Sequence, residues 1–325
     1  MNYNMKEVSA TPYDDVFRTL LNDCSRLIIP VINEIFEEHY EGNETVRFYP
    51  NEHYINGQDG NEQKRITDSC FILQGQTWKK YHLECQSNSD SSMLVRIFEY
   101  DTQIALDDGM ISDNVLHVEF PNSVVLFLRS DKTVPDKMKI SINTPKGGIS
   151  YDIPVMKTQK YSIEQIFEKN LLFLLPFYIF THESSFIEYD TNASRFEILR
   201  HEYVHIKSRL EELCKDRKLD EFTKCTIIDM SNKVLENIAK KYPNVRKGVK
   251  DVMGGQVLDY EAKKILHEGI EEGMSLKETE LIKKMLINKI SISVIMDVTN
   301  MPKETIESMR EELIKQGEIK EVIKA

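Results

Sequence analysis

The chain has 325 residues, 41% of them hydrophobic and 29% charged, and its 42 Lys+Arg against 53 Asp+Glu give a formal net charge of −11. That length holds about two domains of ~150 residues and a sizeable core, and the acidity excludes a polybasic or histone-like coat for nucleic acid. Residues 1–150 carry 14 basic and 23 acidic side chains against 28 and 30 in the remainder, so any nucleic acid has to meet a local basic groove or a metal ion. The five cysteines (Cys24, Cys70, Cys85, Cys214 and Cys225) form no CxxC pair and no even disulfide framework, which reads as reduced thiols in the cytoplasm. The first fifteen residues lack the apolar stretch of a signal peptide. The most apolar run, 171–180, is ten residues long with Pro176 inside it; a bilayer span needs about 20, so the run predicts buried core and no membrane contact.

In chain order, residues 12–39 read as helix, with Val16, Phe17, Leu20 and Leu21 at helical spacing and a break near Cys24-Ser25. The texture then turns to short β-type runs at Thr45–Tyr49, Ile66–Leu73 and Lys80–Gln86, with Gly75 in the turn between the last two. Ser91–Leu106 predicts a helix with Leu94, Ile97, Phe98 and Ile104 inward. Strands follow at Val115–Phe120 and Val124–Leu128, and Lys139–Ile142 with Ile149–Val155 reads as a hairpin around Pro145-Lys-Gly-Gly148. After Ser162-Ile-Glu-Gln165, a capping-box pattern, the texture is helical, through 193–217 and 219–241 and again from about 245. The expectation is an α/β domain over 1–158, with a mixed sheet flanked by helices, and an all-helical region over 159–325.

Chemistry concentrates first on Asp68 and, sixteen residues on, Glu84-Cys85-Gln86. Strand alternation puts His82, Glu84 and Gln86 on one face and Leu83 and Cys85 on the other. Two carboxylates on neighbouring strands suit a hard divalent cation, and such an ion activates water and neutralises phosphodiester charge. Asp in one strand and Glu in the next is also an ordinary solvated pattern. On the following helix Arg96, Tyr100 and Gln103 fall at i, i+4 and i+7 and share a face, where an arginine suits a phosphate or braces a carboxylate.

Tyr13-Asp14-Asp15-Val-Phe-Arg-Thr-Leu20, Arg65-Ile-Thr-Asp68, His82-Leu-Glu84-Cys-Gln86 and Arg96-Ile-Phe-Glu-Tyr100 occur in that order. The set resembles the PD-(D/E)XK nuclease superfamily and, within it, the Rpn-type branch of recombination-promoting nucleases and transposase-like proteins. Leu174-Leu-Pro-Phe-Tyr178, Val252-Met-Gly-Gly255 and Glu268-Gly-Ile-Glu-Glu-Gly273 extend the likeness, so that it covers about 12–275. The resemblance implies a restriction-endonuclease-like fold and Mg²⁺-dependent (or Mn²⁺-dependent) endonuclease action on DNA, linked to recombination or transposition. It implies metal ligation by Asp68, Glu84 and the Cys85 carbonyl, with Asp15 on the first helix reaching the metal or its water; Asp14 is the rival by one register step. Gln86 stands where the superfamily usually has Lys. It can orient a water but brings no charge, which leaves a catalytically weak DNA- or protein-binding module as the alternative.

Two further motifs compete. His201-Glu-Tyr-Val-His205 is a literal H-E-x-x-H, the zincin arrangement, with Glu202 as general base; Arg200 and Lys207 flank it, and its surroundings read as an exposed helix face. Residues 290–316 have helix–turn–helix texture. The second helix sets Lys303, Arg310 and Lys315 against Glu304, Glu307, Glu311 and Glu312, which favours a hairpin packing on itself or on a partner over a DNA-reading helix. A homodimer through this helical region is the protein-partner expectation.

Overall fold

The computed structural model describes residues 12–48, 52–56, 62–66, 69–75, 77–87, 92–129, 134–254, 279, 281–287, 290–299 and 303–315, of which 52–56, 62–66, 293, 297, 298, 303–305, 312 and 315 are described by backbone alone. They fall into two units, Met1–Val257 and Leu258–Ala325.

The first unit is built on a mixed six-stranded sheet. Its strands are β1 (Thr45–Phe48), β4 (Ser69–Gln74), β5 (Trp78–Gln86), β8 (Asn122–Phe127), β9 (Lys137–Thr144) and β10 (Gly147–Lys157), in the order β1-β4-β5-β8-β10-β9. β1/β4, β4/β5 and β9/β10 are antiparallel, and β5/β8 and β8/β10 parallel. Parallel neighbours need a crossover, and between β5 and β8 it is helix α3 (Met93–Asp107). Two small ribbons stand apart: β2 (Glu52–Asn56) with β3 (Glu62–Ile66), and β6 (Met110–Ser112) with β7 (Val115–His117). The run read as one strand from Ile66 to Leu73 is therefore two. Ile66 closes β3 opposite Glu52, and Ser69 opens β4 opposite Leu83. The strand expected to reach Phe120 stops at His117.

Alternation sorts the sheet's side chains onto two faces. Tyr81, Leu83 and Cys85 of β5, with Val124 and Leu126 of β8, enter the large core. α1 (Pro12–Asp23) and α2 (Ile29–Phe36) pack there, separated by a 3-10 turn at Ser25–Ile28 where the sequence shows its break. α2 ends at Glu37, whose left-handed φ of 53° stops the helix short of residue 39. Val125 and Phe127 face the other way, against Met93 and Ile97 of α3.

The helical layer joins the large core directly. Ser162 caps α4 (Ile163–Glu168) through the Gln165 N–H, with the Gln165 side chain returning the bond, as the sequence pattern anticipates. The apolar run lies wholly inside, mostly as the 3-10 segment Leu172–Ser185, with Phe17 meeting Phe173 edge-on at 5.4 Å. α5 (Phe186–Thr191), α6 (Ala193–Lys215), α7 (Glu221–Ile238) and α8 (Pro243–Met253) contribute Phe186, Leu199, Ile227 and Val249 to the same core. Residue 158 thus marks a change of texture inside one unit: the sheet face at Leu83 and the helices beyond Ser162 share one apolar interior. No helix among the described residues is long and apolar enough to cross a membrane.

In the second unit the helical stretch α9 (281–287), α10 (Ile292–Thr299) and α11 (Lys303–Lys315) hold a separate small core of Ile282, Leu286, Ile295, Ile306 and Leu313. Within 290–316 the described residues form the helices α10 and α11.

Because Leu199 is fully buried in the shared core, Leu199→Ala should destabilise sheet and helices together by about 2–5 kcal/mol. Urea unfolding followed by circular dichroism and by Trp78 fluorescence is expected to show one transition shifted to lower urea by both probes, rather than a helical transition alone.

Candidate functional site

β5 presents two polar side chains to α3: His82, fully buried, and Glu84, 3% exposed. A buried carboxyl group needs compensation or it costs several kcal/mol. Here it has two cationic neighbours. His82 Nε2 lies 3.1 Å from Glu84 Oε1, and an Arg96 guanidinium nitrogen lies 4.0 Å from Glu84 Oε2. The other ring nitrogen, His82 Nδ1, lies 2.7 Å from Asp101 Oδ1 on α3. Ser123 Oγ donates to that same oxygen at 2.7 Å; β5 and β8 pair His82 with Ser123 in register, which sets both beside Asp101. Asp101 Oδ2 is buried and has no hydrogen-bond partner among the described residues.

The imidazole therefore stands between two carboxyl groups. Burial alone would lower its pKa, but the hydrogen bonds to Asp101 and Glu84, and their charges, outweigh burial and raise it to about 10. Both ring nitrogens then donate. The Tyr100 ring closes the site edge-on to His82 at 5.9 Å, while Tyr151 is pushed up to about 12, first by burial and then by Asp101.

Of the side chains singled out in the sequence, Glu84, Arg96 and Tyr100 come together. Tyr100 is buried against His82, not on a surface helix face. Gln86, half-buried, closes β5, and its carbonyl accepts the Leu128 N–H at 2.8 Å. The Cys85 thiol points into the large core on the opposite face. Gln103 does not reach the site: its amide donates to Asp107 Oδ1 one turn along α3, at 2.8 Å. Asp15 is exposed on α1, on the far face of the sheet, with Lys233 of α7 at 3.9 Å as its ion partner. Asp68 and Thr67 lie outside the described residues, as do Gly255 and 268–273 of the other quoted motifs. β4 opens at Ser69, whose hydroxyl donates to the Leu83 carbonyl beside Glu84 at 3.2 Å.

Among the described residues no group of three or more His, Cys, Asp and Glu side chains is arranged to hold a metal ion. Of the two carboxyl groups expected to hold a metal, only Glu84 is among the described residues, and one of its oxygens is already held by His82.

Sequence reasoning missed Asp101 and Ser123. Asp101 did carry a signal: it is an acidic residue set among Ile97, Ile104 and Ala105 on the inward stripe of α3, where a charge survives only with a buried partner. Leu94 and Phe98, expected inward, are half-buried because Tyr100 and Asp101 take the position under the sheet.

The H-E-x-x-H motif lies on α6 with His201 and His205 exposed. Its acid faces elsewhere: Glu202 Oε2 is 2.7 Å from His182 Nε2 and accepts from the Tyr178 hydroxyl at 3.0 Å. Burial raises the Glu202 pKa, but His182 and Tyr178 more than offset it and hold it below the ordinary carboxylate value. This ties α6 to the 3-10 segment and leaves Glu202 already engaged.

No protein-family model matches the chain, and neither a curated protein nor a solved structure does.

Removing His82 strands two carboxyl groups in the interior, so His82→Asn should cost about 3–5 kcal/mol; Ser123→Ala, which takes one hydrogen bond from Asp101, is milder at about 1.5–3 kcal/mol. The sign of the pH dependence follows from the raised imidazole. Its stabilisation is fully present below the ordinary value of 6.5 and is lost as pH climbs through about 10. Urea midpoints measured from pH 6 to 10 should fall in the wild type and in Ser123→Ala, and this slope should flatten in His82→Asn.

Proposed function

We propose that the chain is a metal-dependent DNA endonuclease that hydrolyses phosphodiester bonds with a metal-activated water, on a restriction-endonuclease-like core. The ligands are Asp68, Glu84 and the Cys85 carbonyl, and Gln86 orients the water. The observation that carries this reading is Glu84: an acid held at 3% exposure on the middle of a mixed sheet flanked by helices, at the strand position where the sequence resemblance asks for a metal ligand. An apolar or uncharged side chain would fill that place at lower cost, so an acid held there by His82 and Arg96 marks a site rather than core filling. The chemistry that Mg²⁺ or Mn²⁺ would supply is an activated water and neutralised phosphate charge. The chain's own residues fix Glu84 through His82 and Asp101 and place the Arg96 guanidinium where a phosphate oxygen or the carboxylate can use it. The acidic balance of residues 1–150 fits modest, salt-sensitive DNA affinity. A role in recombination or transposition follows the same resemblance.

One observation favours a second reading, a nuclease-fold binding module. Glu84 already has two cationic neighbours within the protein, and residue 86 brings no further charge. Such a module would bind DNA or a protein and leave DNA intact.

Purified protein with supercoiled plasmid separates the two. On the nuclease reading, nicking requires Mg²⁺ or Mn²⁺, stops in EDTA, and falls by roughly 10²-fold or more in Asp68→Ala and in Glu84→Gln. A folded wild type that leaves plasmid intact with either metal, indistinguishable from Asp68→Ala, overturns the nuclease reading in favour of the binding module.

A further inference from the structure

Every residue from Met110 to Glu119 is exposed, yet the segment is rich in apolar side chains. Met110 is 71% and Ile111 78% exposed, and Val115, Leu116 and Val118 are also open to solvent. The β6–β7 ribbon turns through Asp113 and Asn114, both with positive φ (50° and 63°), the tight primed turn that matches strand twist. It pairs with no third strand among the described residues. A two-stranded ribbon is marginal by itself in water, and its free edges invite another chain. Its apolar side chains divide between two faces, Met110 and Val115 on one and Ile111, Leu116 and Val118 on the other. The second face alone exposes on the order of 300 Å², the size at which a patch on a monomer marks an interaction site.

Charge narrows the occupant. Residues 106–119 contain Asp107, Asp108, Asp113 and Glu119 and no Lys or Arg, so phosphate backbones and anionic lipid surfaces are repelled. The complementary surface is on this same chain. The exposed side chains of the β9–β10 arm include Lys137, Lys139 and Lys146 against Asp152, a surplus of two positive charges. Lys137 and Lys139 both face Asp152, at 2.7 and 3.6 Å, and Ile149 is exposed beside them. β9 is also an edge of the six-stranded sheet. Phe120, stacked on Phe98 at 6.4 Å and meeting Tyr151 at 6.1 Å, roots the ribbon beside the arm of its own copy. The ribbon nevertheless remains uncovered there.

We propose that the β6–β7 ribbon docks on the β9–β10 arm of a second copy, in a twofold dimer in which each ribbon takes the other copy's arm. The arrangement is isologous, with ribbon on arm and arm on ribbon. Two such contacts together approach the ~800 Å² per partner of a standard stable interface. It is independent of the nuclease reading and of the helical C-terminal unit.

Sedimentation equilibrium of the full chain at about 10 µM is expected to give twice the 37.9-kDa chain mass, with weakening at high salt. A ribbon variant, Ile111→Asp with Leu116→Asp, and an arm variant, Lys139→Glu with Ile149→Asp, should each raise the dimer Kd at least tenfold. All four side chains are exposed, and unchanged circular dichroism checks that both variants fold. Mixing the two variants restores one ribbon–arm contact, so the mixture should associate more tightly than either variant alone. A wild type that stays monomeric up to about 100 µM overturns the proposal. So does a dimer that survives both variants, or one that the ribbon variant breaks and the arm variant does not.

Discussion

One imidazole holds the polar face of this sheet together. His82 is fully buried, and its two ring nitrogens meet Glu84 and Asp101 at 3.1 and 2.7 Å. Neither acid would persist at that depth without it, because a carboxylate moved out of water loses more than packing returns. Much else follows. α3 can carry an acid on its inward stripe, Ser123 has a carboxyl oxygen to bond, and Tyr100 has a ring to close over. The parallel register of β5 and β8 is part of the same arrangement, since it sets Ser123 next to His82.

The two faces of β5 have divided tasks. Tyr81, Leu83 and Cys85 bind the sheet to a core that runs through the apolar 3-10 segment into α6 and α7. His82 and Glu84 face α3. The rigid, apolar side is what allows the other side to hold charge in a fixed geometry, because a buried ion pair returns its desolvation cost only when its partners cannot drift. Glu84 is therefore held in place by protein groups, and its Oε2, near Arg96, is the oxygen that His82 leaves open.

Three polar clusters among the described residues of the first unit differ in kind. Around Glu84 the groups are buried and mutually compensated. Around Glu202 they bridge a helix and the 3-10 segment at the margin of the core, with both histidines of the H-E-x-x-H motif turned to solvent. On the β6–β7 ribbon and the β9–β10 arm they are fully in water and of opposite sign. Only the first combines an acid, a cation and low exposure on one strand, and so it is the one from which a reaction is proposed.

Periodicity and turn chemistry in the sequence were enough for most elements. Alternation in 80–86 separated His82 and Glu84 from Leu83 and Cys85, the Ser162–Gln165 pattern marked a helix start, and the turn around Pro145-Lys146 marked a hairpin. These are short-range properties, set by side-chain direction and local hydrogen bonds. The same reasoning could not tell that Ile66 and Ser69 belong to different sheets, that Gln103 would bond along its own helix, or that Asp15 would face Lys233. Nor could it show that the helices beyond 158 complete the core under the sheet. Those outcomes depend on which surfaces meet, and side chains far apart in the chain decide that. The pairing of Asp101 with His82 is the clearest case: the sequence placed each on its own element, but only the crossover of α3 onto the β5–β8 face brought the acid to the imidazole.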